Sequence, residues 1–469
     1  MPDNFDLIVI GAGPGGYVAA RRGAQLGLNT ALIEKEDRLG GTCLLRGCIP
    51  TKALIHAAEV WRLCRKGSKA FGVSVEGASF DWGRVQKRKA MATTKGAKGV
   101  GLLMQQAGVT VIQGVGRLNG PGRVRVESST GERELTSERI ILATGSYASG
   151  LPGIVPDGQR ILTSDHLLEI DHVPASMIVL GAGAVGVELA GVMQSFGCRV
   201  TLVELMDRVL PIEDPDCSEE VARALKRQGM VVRTGCKARD VQETAEGIRC
   251  VLEQVADGVA EELEAECLLV AVGRRPATRD LGLDTVGVVQ DKRGFIQTDG
   301  FMETAVPGLY AIGDIVPTAQ LAHLASHEAL VAAGHAAAQA VHPIRYSRVP
   351  SCTYSNPEVA SVGLTEAAAA EAGYQTRSGR FPFSALGKAS ILNELHGFIK
   401  VVSETETGEV LGVHMVGPRV TELISGAATA MGFDADVERW SEVIHPHPSL
   451  SEALGEAVQA AAGKPLHGG

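Results

Sequence analysis

The sequence lacks both a long apolar run and an excess of positive charge. No stretch of about 18 consecutive apolar residues occurs, and the opening MPDNFDLIVIG has no charged segment followed by an apolar core of the kind that directs secretion. We therefore expect a soluble, cytoplasmic protein. The formal net charge of −9 argues against nucleic acid or an anionic membrane as the main partner, since either would need a basic surface.

The acidic balance has one local exception. The stretch from Arg84 through Lys98 is basic. Charge runs of this kind are usually the solvated face of a helix, and we favour that interpretation over a phosphate-binding patch.

Cysteine is also sparse. The chain has nine cysteines in 469 residues, an odd and scattered set that is typical of reduced intracellular thiols rather than of a disulfide scaffold. Against that background one close pair stands out, Cys43 and Cys48 within GGTCLLRGCIPTK, residues 40–52.

Length alone requires several domains, because 469 residues exceed what one hydrophobic core supports, and about 100–200 residues per domain is usual. Residues 5–36 predict a buried parallel strand, a glycine turn, a helix and a second strand. Gly11, Gly13 and Gly16 form G-x-G-x-x-G, which supplies a tight turn, room for a pyrophosphate and close helix packing. Glu34 ends the second strand, where it can accept hydrogen bonds from a ribose.

Residues 177–204 repeat this arrangement. Gly181, Gly183 and Gly186 form the second turn, and Glu204 ends its second strand. Two such folds predict two dinucleotides, one of which can be a flavin dinucleotide. A carboxylate at position 204 with no basic cluster directly after it favours NAD over NADP, because it would repel a 2′-phosphate.

The remaining segments complete a mixed α/β chain. Residues 139–146 and 308–314 are predicted strands that end in small residues, which allow backbone to pass close to a ligand. From about residue 349 the pattern changes to a separate α+β domain, in which residues 398–417 predict a hairpin.

The cysteine pair can be interpreted in three ways. In a regular helix, residues five apart rise about 7.5 Å, beyond the roughly 7 Å limit for bridgeable Cα atoms, so we expect Gly47 and Pro50 to mark a distorted turn. A structural disulfide closing so short a loop would add little stability, and zinc sites prefer a second ligand pair that is missing nearby. The residues therefore favour a redox-active pair, with the structural and metal interpretations as alternatives.

A dithiol exchange also needs a proton acceptor. In IHPHPSLSE, residues 444–452, His447 lies between two prolines and Glu452 follows five residues later. A carboxylate on the far ring nitrogen would hold the imidazole tautomer. A surface turn before a helix that is capped by Ser449 or Ser451 explains the same residues equally well.

Taken in order, GAGPGGY, GGTCLLRGCIPTK, GAGAVGVELAG, VGRRPAT, VPGLYAIGD, NPEVASVGLTE and HPHPSLSE resemble the two-cysteine flavoprotein disulfide reductases. The similarity extends from Phe5 to about Glu456. The resemblance implies an α/β fold with two Rossmann-like dinucleotide-binding domains and a C-terminal α+β dimerisation domain. Its expected domains are FAD-binding (1–150), NAD-binding (151–275), central, completing the FAD site (276–348), and interface (349–469).

The resemblance also implies which residues bind the cofactors FAD and NAD. Glu34 would contact the adenosine ribose and Asp314 the ribityl chain. The full expected set is Gly11, Gly13, Gly16, Glu34, Lys35, Gly41, Thr42, Lys52, Gly116, Thr144, Gly145, Asp314, Ala322, Gly181, Gly183, Gly186, Glu204, Ala271, Gly273 and Arg274.

The implied chemistry assigns a role to each member of the redox site. Cys48 would lie against the flavin, and Cys43 would exchange with substrate. Lys52 would lie beside the flavin, paired with Glu188. By the same resemblance His447 is the base and Glu452 its orienting acid, and the histidine serves the disulfide of the other subunit in a homodimer.

The substrate implied by the most similar members is a dihydrolipoyl group on a separate carrier protein of a 2-oxoacid dehydrogenase-type or glycine cleavage complex, with NAD⁺ as acceptor. Glu204 disfavours the NADPH-dependent members, and no cysteine follows Cys352 to form a second redox pair. The alternatives are a redox-inactive, FAD-bearing assembly component and a reductase for another small disulfide.

The chain departs from the family at two positions between the cysteines, where Leu45 and Arg46 replace the usual asparagine and valine. A cation there could favour the thiolate, but we favour projection of Arg46 into solvent. Ala148 and Ala277 also replace more usual residues, away from the expected chemistry.

Overall fold

A computed structural model describes residues 3–65 and 67–467 of the chain. It contains two compact units. The first comprises the residues up to Leu54, Gly83–Ser149 and Gly273–Ile344, and the second comprises Ile55–Trp82, Gly150–Val272 and the residues from Arg345 onward. Within the described ranges, every helix is too short or too polar to cross a bilayer.

The helices of the described residues are α1 (Pro14–Gln25), α2 (Gly41–Arg46), α3 (Cys48–Arg65), α4 (Trp82–Ala107), α5 (Ser164–Leu167), α6 (Ala184–Ser195), α7 (Pro215–Arg227), α8 (Ala322–Ala336), α9 (Glu366–Glu371), α10 (Gly387–Leu392), α11 (Val420–Gly432), α12 (Val437–Trp440) and α13 (Glu452–Ala461). The strands are β1 (Asp3–Asn4), β2 (Leu7–Ile10), β3 (Thr30–Glu34), β4 (Thr110–Gln113), β5 (Val115–Leu118), β6 (Arg123–Ser128), β7 (Gly131–Thr136), β8 (Ile140–Leu142), β9 (Ser146–Ala148), β10 (Ile161–Leu162), β11 (Ser176–Leu180), β12 (Arg199–Val203), β13 (Val231–Arg233), β14 (Cys236–Glu243), β15 (Ile248–Gln254), β16 (Ala260–Ala265), β17 (Cys267–Val270), β18 (Arg274–Pro276), β19 (Leu309–Ala311), β20 (Ser351–Thr353), β21 (Glu358–Gly363), β22 (Thr376–Pro382), β23 (Phe398–Glu404) and β24 (Val410–Gly417).

The first unit is built on a parallel sheet in the order β19-β8-β2-β3-β4. All residues of β2, β3 and β8 are buried, as expected for parallel strands covered on both faces. Leu7 and Val9 pack on one face with the helical alanines of α1 and α8, and Ile8 and Ile10 pack on the other with β6 and β7. The alternation of side chains along β2 therefore supplies both halves of the core.

The second unit contains another parallel sheet, β10-β17-β11-β12-β13, and a three-stranded antiparallel sheet, β14-β15-β16. It also contains an antiparallel sheet in the order β20-β21-β24-β23-β22. Its apolar residues pack with those of α11 and α13 in a core that includes Phe381, Phe383 and Trp440. This sheet and its helices form the α+β part of the chain.

The structure confirms the predicted fold class and the two strand–turn–helix–strand repeats. The first repeat is β2, α1 and β3, and the second is β11, α6 and β12. The hairpin predicted at residues 398–417 is β23 paired with β24, with Val401 opposite Val413. The basic stretch is helical, within α4. The bounds of the four predicted domains stay a prediction.

Candidate active site

Cys43 and Cys48 form a disulfide at a break between two helices. Helix α2 ends at Arg46 and α3 begins at Cys48, with Gly47 between them at φ −139° and ψ −109°. The break brings the two Cα atoms within 4.7 Å, which a continuous helix could not do. The distorted turn predicted around Gly47 is therefore confirmed.

Helix α2, which carries Cys43, packs directly on the first glycine turn. The Gly40 N–H donates to the carbonyl of Ala12 over 2.9 Å. Gly41 has φ +59°, and a Cβ there would lie 2.5 Å from the Cα of Gly13, so only glycine fits this approach. The start of α2, and with it Cys43, is thus tied to the start of α1.

The first turn has the shape that a dinucleotide pyrophosphate needs. Gly11 has φ +100°, and a Cβ on Gly16 would lie 1.7 Å from the Gly11 carbonyl oxygen, so both positions require glycine. Gly13 is the N-cap of α1, and no side chain caps this end of the helix. Glu34 is buried, and its Oε2 accepts the Ala12 N–H over 2.7 Å. These residues fit FAD, with helix N–H groups directed at the phosphates and a carboxylate at the strand end.

The second turn repeats these contacts almost atom for atom. Gly181 has φ +99°, and a Cβ on Gly186 would lie 1.9 Å from its carbonyl oxygen. A Cβ on Gly183 would meet nothing within 4 Å. Glu204 is buried and accepts the Ala182 N–H over 2.6 Å. This turn fits NAD, and the buried carboxylate leaves no counter-charge for a 2′-phosphate.

The cation nearest to Glu204 in sequence is directed elsewhere. Arg208 Nε lies 3.8 Å from an oxygen of Asp207, and its side chain is 43% exposed. Glu204 Oε1 instead accepts the Met206 N–H over 2.9 Å. Both oxygens of the Glu204 carboxylate are thus held by backbone, which fixes their position for a ribose.

Asp314 lies in a cluster at the end of β19. Its carboxylate is hydrogen-bonded to the hydroxyl of Ser146, and Arg274 Nε donates to the same hydroxyl over 2.7 Å. Arg274 Nε is 4.0 Å from Asp314. All three residues belong to the first unit, so Arg274, which was expected from the motif VGRRPAT, is grouped with Asp314.

The other predicted cofactor residues divide between the two units. In the first unit the Thr144 hydroxyl donates to the carbonyl of Ala277 over 2.7 Å, and the Gly145 carbonyl accepts the N–H of Ala277 over 2.8 Å. Ala271 belongs to the second unit, where its N–H donates to Leu180 in β11. The rest lie in the first unit: Lys35, Thr42, Gly116, Gly273 and Ala322.

His447 and Glu452 are in direct contact in the second unit. His447 Nδ1 lies 2.8 Å from Glu452 Oε1, and the histidine side chain is 78% exposed. Glu452 is the first residue of α13, and its Oε2 accepts the Ser449 N–H over 2.8 Å. That backbone hydrogen bond, and then the hydrogen bond from His447, lower the pKa of Glu452 against the opposing effect of burial.

Neither serine caps α13 in the way that the alternative interpretation requires. Ser451 is the N-cap but makes no side-chain capping hydrogen bond. The Ser449 hydroxyl donates to the carbonyl of Pro446 over 2.6 Å. The turn is thus organised around the carboxylate of Glu452, which holds Nδ1 of His447 and leaves Nε2 for proton transfer.

Lys52 and Glu188 belong to different units. Lys52 follows the disulfide by one turn of α3, in the first unit. Glu188 lies on α6 in the second unit, where it is 5% exposed and accepts the Tyr354 N–H over 2.8 Å. Their pairing stays a prediction.

The interpretation that Arg46 projects into solvent is wrong. Its Nη2 lies 2.7 Å from Oε1 of Glu36, and the arginine side chain is only 37% exposed. The hydrogen bond to Arg46 lowers the pKa of Glu36. The cation is therefore engaged by a carboxylate two residues beyond Glu34, because the short helix α2 carries position 46 back to the end of β3.

Sequence reasoning missed the neighbours that hold these groups. Ser146 links Asp314 to Arg274, and Ser449 and Tyr354 donate backbone N–H groups to Glu452 and Glu188. His445 is also close to Glu452; its Nε2 is buried without a hydrogen-bond partner in the described chain, and burial lowers its pKa. Ser146 and Ser449 lie within segments that the sequence analysis had singled out. A backbone N–H donor cannot be recognised from the sequence, because every residue except proline has one.

Comparison with known proteins gives a consistent result over the whole chain. The model of the pyridine nucleotide-disulphide oxidoreductases matches residues 5–329, and that of their dimerisation domain matches residues 349–458. The chain is 43% identical to a dihydrolipoyl dehydrogenase of Bacillus subtilis, covering 100% of both proteins. It is 44% identical to one of Chlorobaculum tepidum, covering 97% of this chain and 96% of that protein.

Solved structures agree with these sequence matches. LpdA of Mycobacterium tuberculosis superposes with a TM-score of 0.89 at 28% identity, covering 97% of this chain and 99% of that one. The flavoprotein disulfide reductase RclA of Escherichia coli, in its Cu(II) complex, superposes with a TM-score of 0.86 at 25% identity and the same coverage. With the Cys43–Cys48 disulfide and two dinucleotide-binding turns in place, the chain belongs to the pyridine nucleotide-disulphide oxidoreductase family, in which the dihydrolipoyl dehydrogenases use FAD and NAD.

Proposed function

We propose that this protein oxidises dihydrolipoyl groups carried by another protein and transfers their two electrons to NAD⁺. The observation that carries the proposal is the Cys43–Cys48 disulfide, which begins α3 and is tied through Gly41 to the FAD-binding turn of the same unit. The full-length relatives named dihydrolipoyl dehydrogenase support this substrate. Arg46, one of the two departures from the family between the cysteines, has its charge compensated by Glu36.

The residues that would hold the cofactors are those of the two turns. Gly11, Gly13, Gly16 and Glu34 would bind FAD, together with Asp314 and the other first-unit residues expected from the resemblance. Gly181, Gly183, Gly186 and Glu204 would bind NAD. Bound FAD would carry the electron pair of the reduced cysteines to NAD⁺ as a hydride.

The proton is moved by His447. The Glu452 carboxylate on Nδ1 fixes the tautomer in which Nε2 is an acceptor, and it stabilises the imidazolium after the proton arrives. Because Ser449 holds the second oxygen of Glu452, the carboxylate cannot rotate away from the ring. Nε2 therefore takes a proton from the dihydrolipoyl thiol.

Electrons enter the protein by thiol–disulfide exchange. The substrate thiolate attacks Sγ of Cys43, a mixed disulfide forms, and Cys48 leaves as a thiolate. The second substrate thiol attacks the mixed disulfide, which releases oxidised lipoyl product and the Cys43 thiol. The substrate has lost two electrons and two protons: the cysteine pair has gained the two electrons, one proton is on His447, and the other is on the Cys43 thiol.

We infer that the protein acts as a homodimer, in which His447 serves the disulfide of the partner subunit. The match to the dimerisation model over residues 349–458 supports the dimer. Lys52 paired with Glu188, the four domains at 1–150, 151–275, 276–348 and 349–469, and a cytoplasmic location are further parts of this proposal. The carrier is the lipoyl-bearing protein of a 2-oxoacid dehydrogenase-type or glycine cleavage complex.

The test is the initial rate of dihydrolipoamide oxidation by the FAD-loaded protein with NAD⁺ and, separately, with NADP⁺. The proposal predicts rapid NADH formation and little NADPH. No rate with either acceptor, although another small dithiol is oxidised, would assign a different substrate. No rate with any dithiol would assign the redox-inactive role.

A further inference from the structure

Helix α4 carries a basic face that the proposed chemistry does not use. Its 26 residues contain six cations and no acidic residue, in a chain whose net charge is −9. Lys89 is buried. The other cations are exposed, and we call them the basic face: Arg84, Lys87, Arg88, Lys95 and Lys98.

These five cations share one side of the helix. At 3.6 residues per turn they lie within an arc of about 100°, over a length of about 21 Å from Arg84 to Lys98. The opposite side contains Thr93, Ala97 and Met104, which are buried. Two apolar side chains lie within the same exposed arc, Met91 at 57% and Leu102 at 52% exposure.

The positive charge of the face is largely uncompensated. In the described part of the chain, no acidic side chain pairs with Lys87, Arg88, Lys95 or Lys98. A solvated helix face usually mixes both signs, which lets pairs three or four residues apart stabilise the helix. Repulsion between like charges makes this face mildly unfavourable for α4 by itself, so its explanation lies outside the helix.

Helix α4 packs against α2 through a side that lies about 80° around the helix from the edge of the basic face. A Cβ on Gly96 would lie 2.5 Å from Cδ1 of Leu44, so the middle of α4 makes a close approach to α2. Leu44 follows Cys43 directly, and Gly96 follows Lys95. A partner lying along the basic face would thus be held beside the helix that carries the cysteine expected to receive substrate.

We propose that the basic face of α4 receives an acidic surface of the protein that carries the dihydrolipoyl group. The inference rests on the proposed function, which places the dithiol on a second macromolecule. A chain of net charge −9 repels an acidic carrier as a whole, and the basic face supplies five exposed cations on an acid-free helix that packs against α2. Complementary charge raises the association rate and orients the encounter, an effect that salt weakens.

The experiment compares the FAD-loaded wild type with the variant Lys87→Glu/Arg88→Glu/Lys95→Glu. The substrates are free dihydrolipoamide, a reduced lipoyl domain with a strongly acidic surface, and the same domain with its surface glutamates changed to glutamine. At low salt, kcat/KM for the acidic domain falls about tenfold or more. The loss shrinks as salt is added, and the rates for free dihydrolipoamide and for the neutralised domain stay close to those of the wild type.

The matched control is Arg279→Glu/Lys292→Glu/Arg293→Glu, which makes the same change in net charge at exposed positions of the same unit. It leaves kcat/KM for the acidic domain near the wild-type value. An equal loss in the control, or no loss in the α4 variant, overturns the inference. A change in the mass of the assembly on sedimentation of the α4 variant would make the face a contact between copies, and it also overturns the inference. Tighter binding of an RNA oligonucleotide than of the acidic domain overturns it as well. A wild type that does not oxidise free dihydrolipoamide overturns the proposed function itself, and this inference with it.

Discussion

Glu452 Oε1 lies 2.8 Å from Nδ1 of His447, and its Oε2 accepts the N–H of Ser449 over the same distance. The carboxylate is therefore held between the backbone of its own turn and the imidazole. One ring nitrogen is committed to Glu452, which defines Nε2 as the atom that exchanges a proton with substrate.

Replacement of His447 tests this assignment. His447→Gln should lower kcat by about 100- to 10,000-fold, the usual contribution of a positioned acid–base group. FAD should stay bound, because His447 is not among the residues expected to hold FAD. Turnover with dihydrolipoamide and the flavin absorbance of the purified variant measure the two effects, and near-normal turnover would remove His447 from the mechanism.

The pH dependence should separate the two members of the pair. The pKa of Glu452 is lowered, so its contribution to stability is present above its unfolded pKa and is lost only as pH falls through the lower, folded value. Between about pH 5 and 8 the carboxylate stays charged, and an acid limb of kcat/KM in that window belongs to another group. Glu452→Gln should therefore keep this limb. Loss of the limb in that variant would show that Glu452 itself titrates.

The second glycine turn predicts the choice of nucleotide. Glu204→Gln keeps an acceptor for the Ala182 N–H but removes the negative charge that opposes a 2′-phosphate. The ratio of kcat/KM for NAD⁺ to that for NADP⁺ should fall by about tenfold, because like charges in contact are strongly unfavourable. Glu264→Gln, at an exposed position of the same unit, is the control and should leave the ratio unchanged. An unaltered ratio in Glu204→Gln would assign nucleotide choice to other residues.

A buried cation joins distant segments of the second unit. Lys400 Nζ on β23 lies 2.8 Å from Asp214 and from Asp216, and its side chain is 5% exposed. Burial lowers the pKa of Lys400, but the hydrogen bonds to Asp214 and Asp216 outweigh it and the net shift is upward. Asp214, the N-cap of α7, is 1% exposed and would be left as an uncompensated charge without the lysine.

Lys400→Met should therefore destabilise the protein by about 3–5 kcal/mol, measured by urea unfolding. Lys226→Met, an exposed cation on α7, is the control and should change stability little. Addition of Asp214→Asn to Lys400→Met should recover part of the loss. Equal stability of Lys400→Met and the wild type would show that the cluster is not a stabilising contact.

Elements formed by residues close together in sequence could be predicted, whereas contacts between distant segments could not. The apolar runs at β2 and β11, the glycine turns and the acids at Glu34 and Glu204 follow one another within about 30 residues, the span of one βαβ unit. Such patterns encode the shape of a dinucleotide site directly. The hairpin β23–β24 was predicted for the same reason, since its two strands follow one another in sequence.

Contacts between segments far apart in sequence could not be predicted in this way. Lys400 meets Asp214 across 186 positions of chain, and the bond from Ser146 to Asp314 crosses 168. Arg46 was misjudged even at a separation of ten residues, because the break at Gly47 sets the direction of its side chain. The type of a residue does not show in which direction its side chain points, because the packing of the helices determines that direction.

The most direct test of the account is whether the Cys43–Cys48 disulfide takes electrons from substrate. The FAD-loaded protein is mixed with stoichiometric dihydrolipoamide in the absence of oxygen and NAD⁺, alkylated with iodoacetamide, and digested for mass spectrometry. The account predicts adducts on both Cys43 and Cys48, and their loss when NAD⁺ is added before alkylation. An intact, unlabelled disulfide in a protein that oxidises dihydrolipoamide at a normal rate would contradict it.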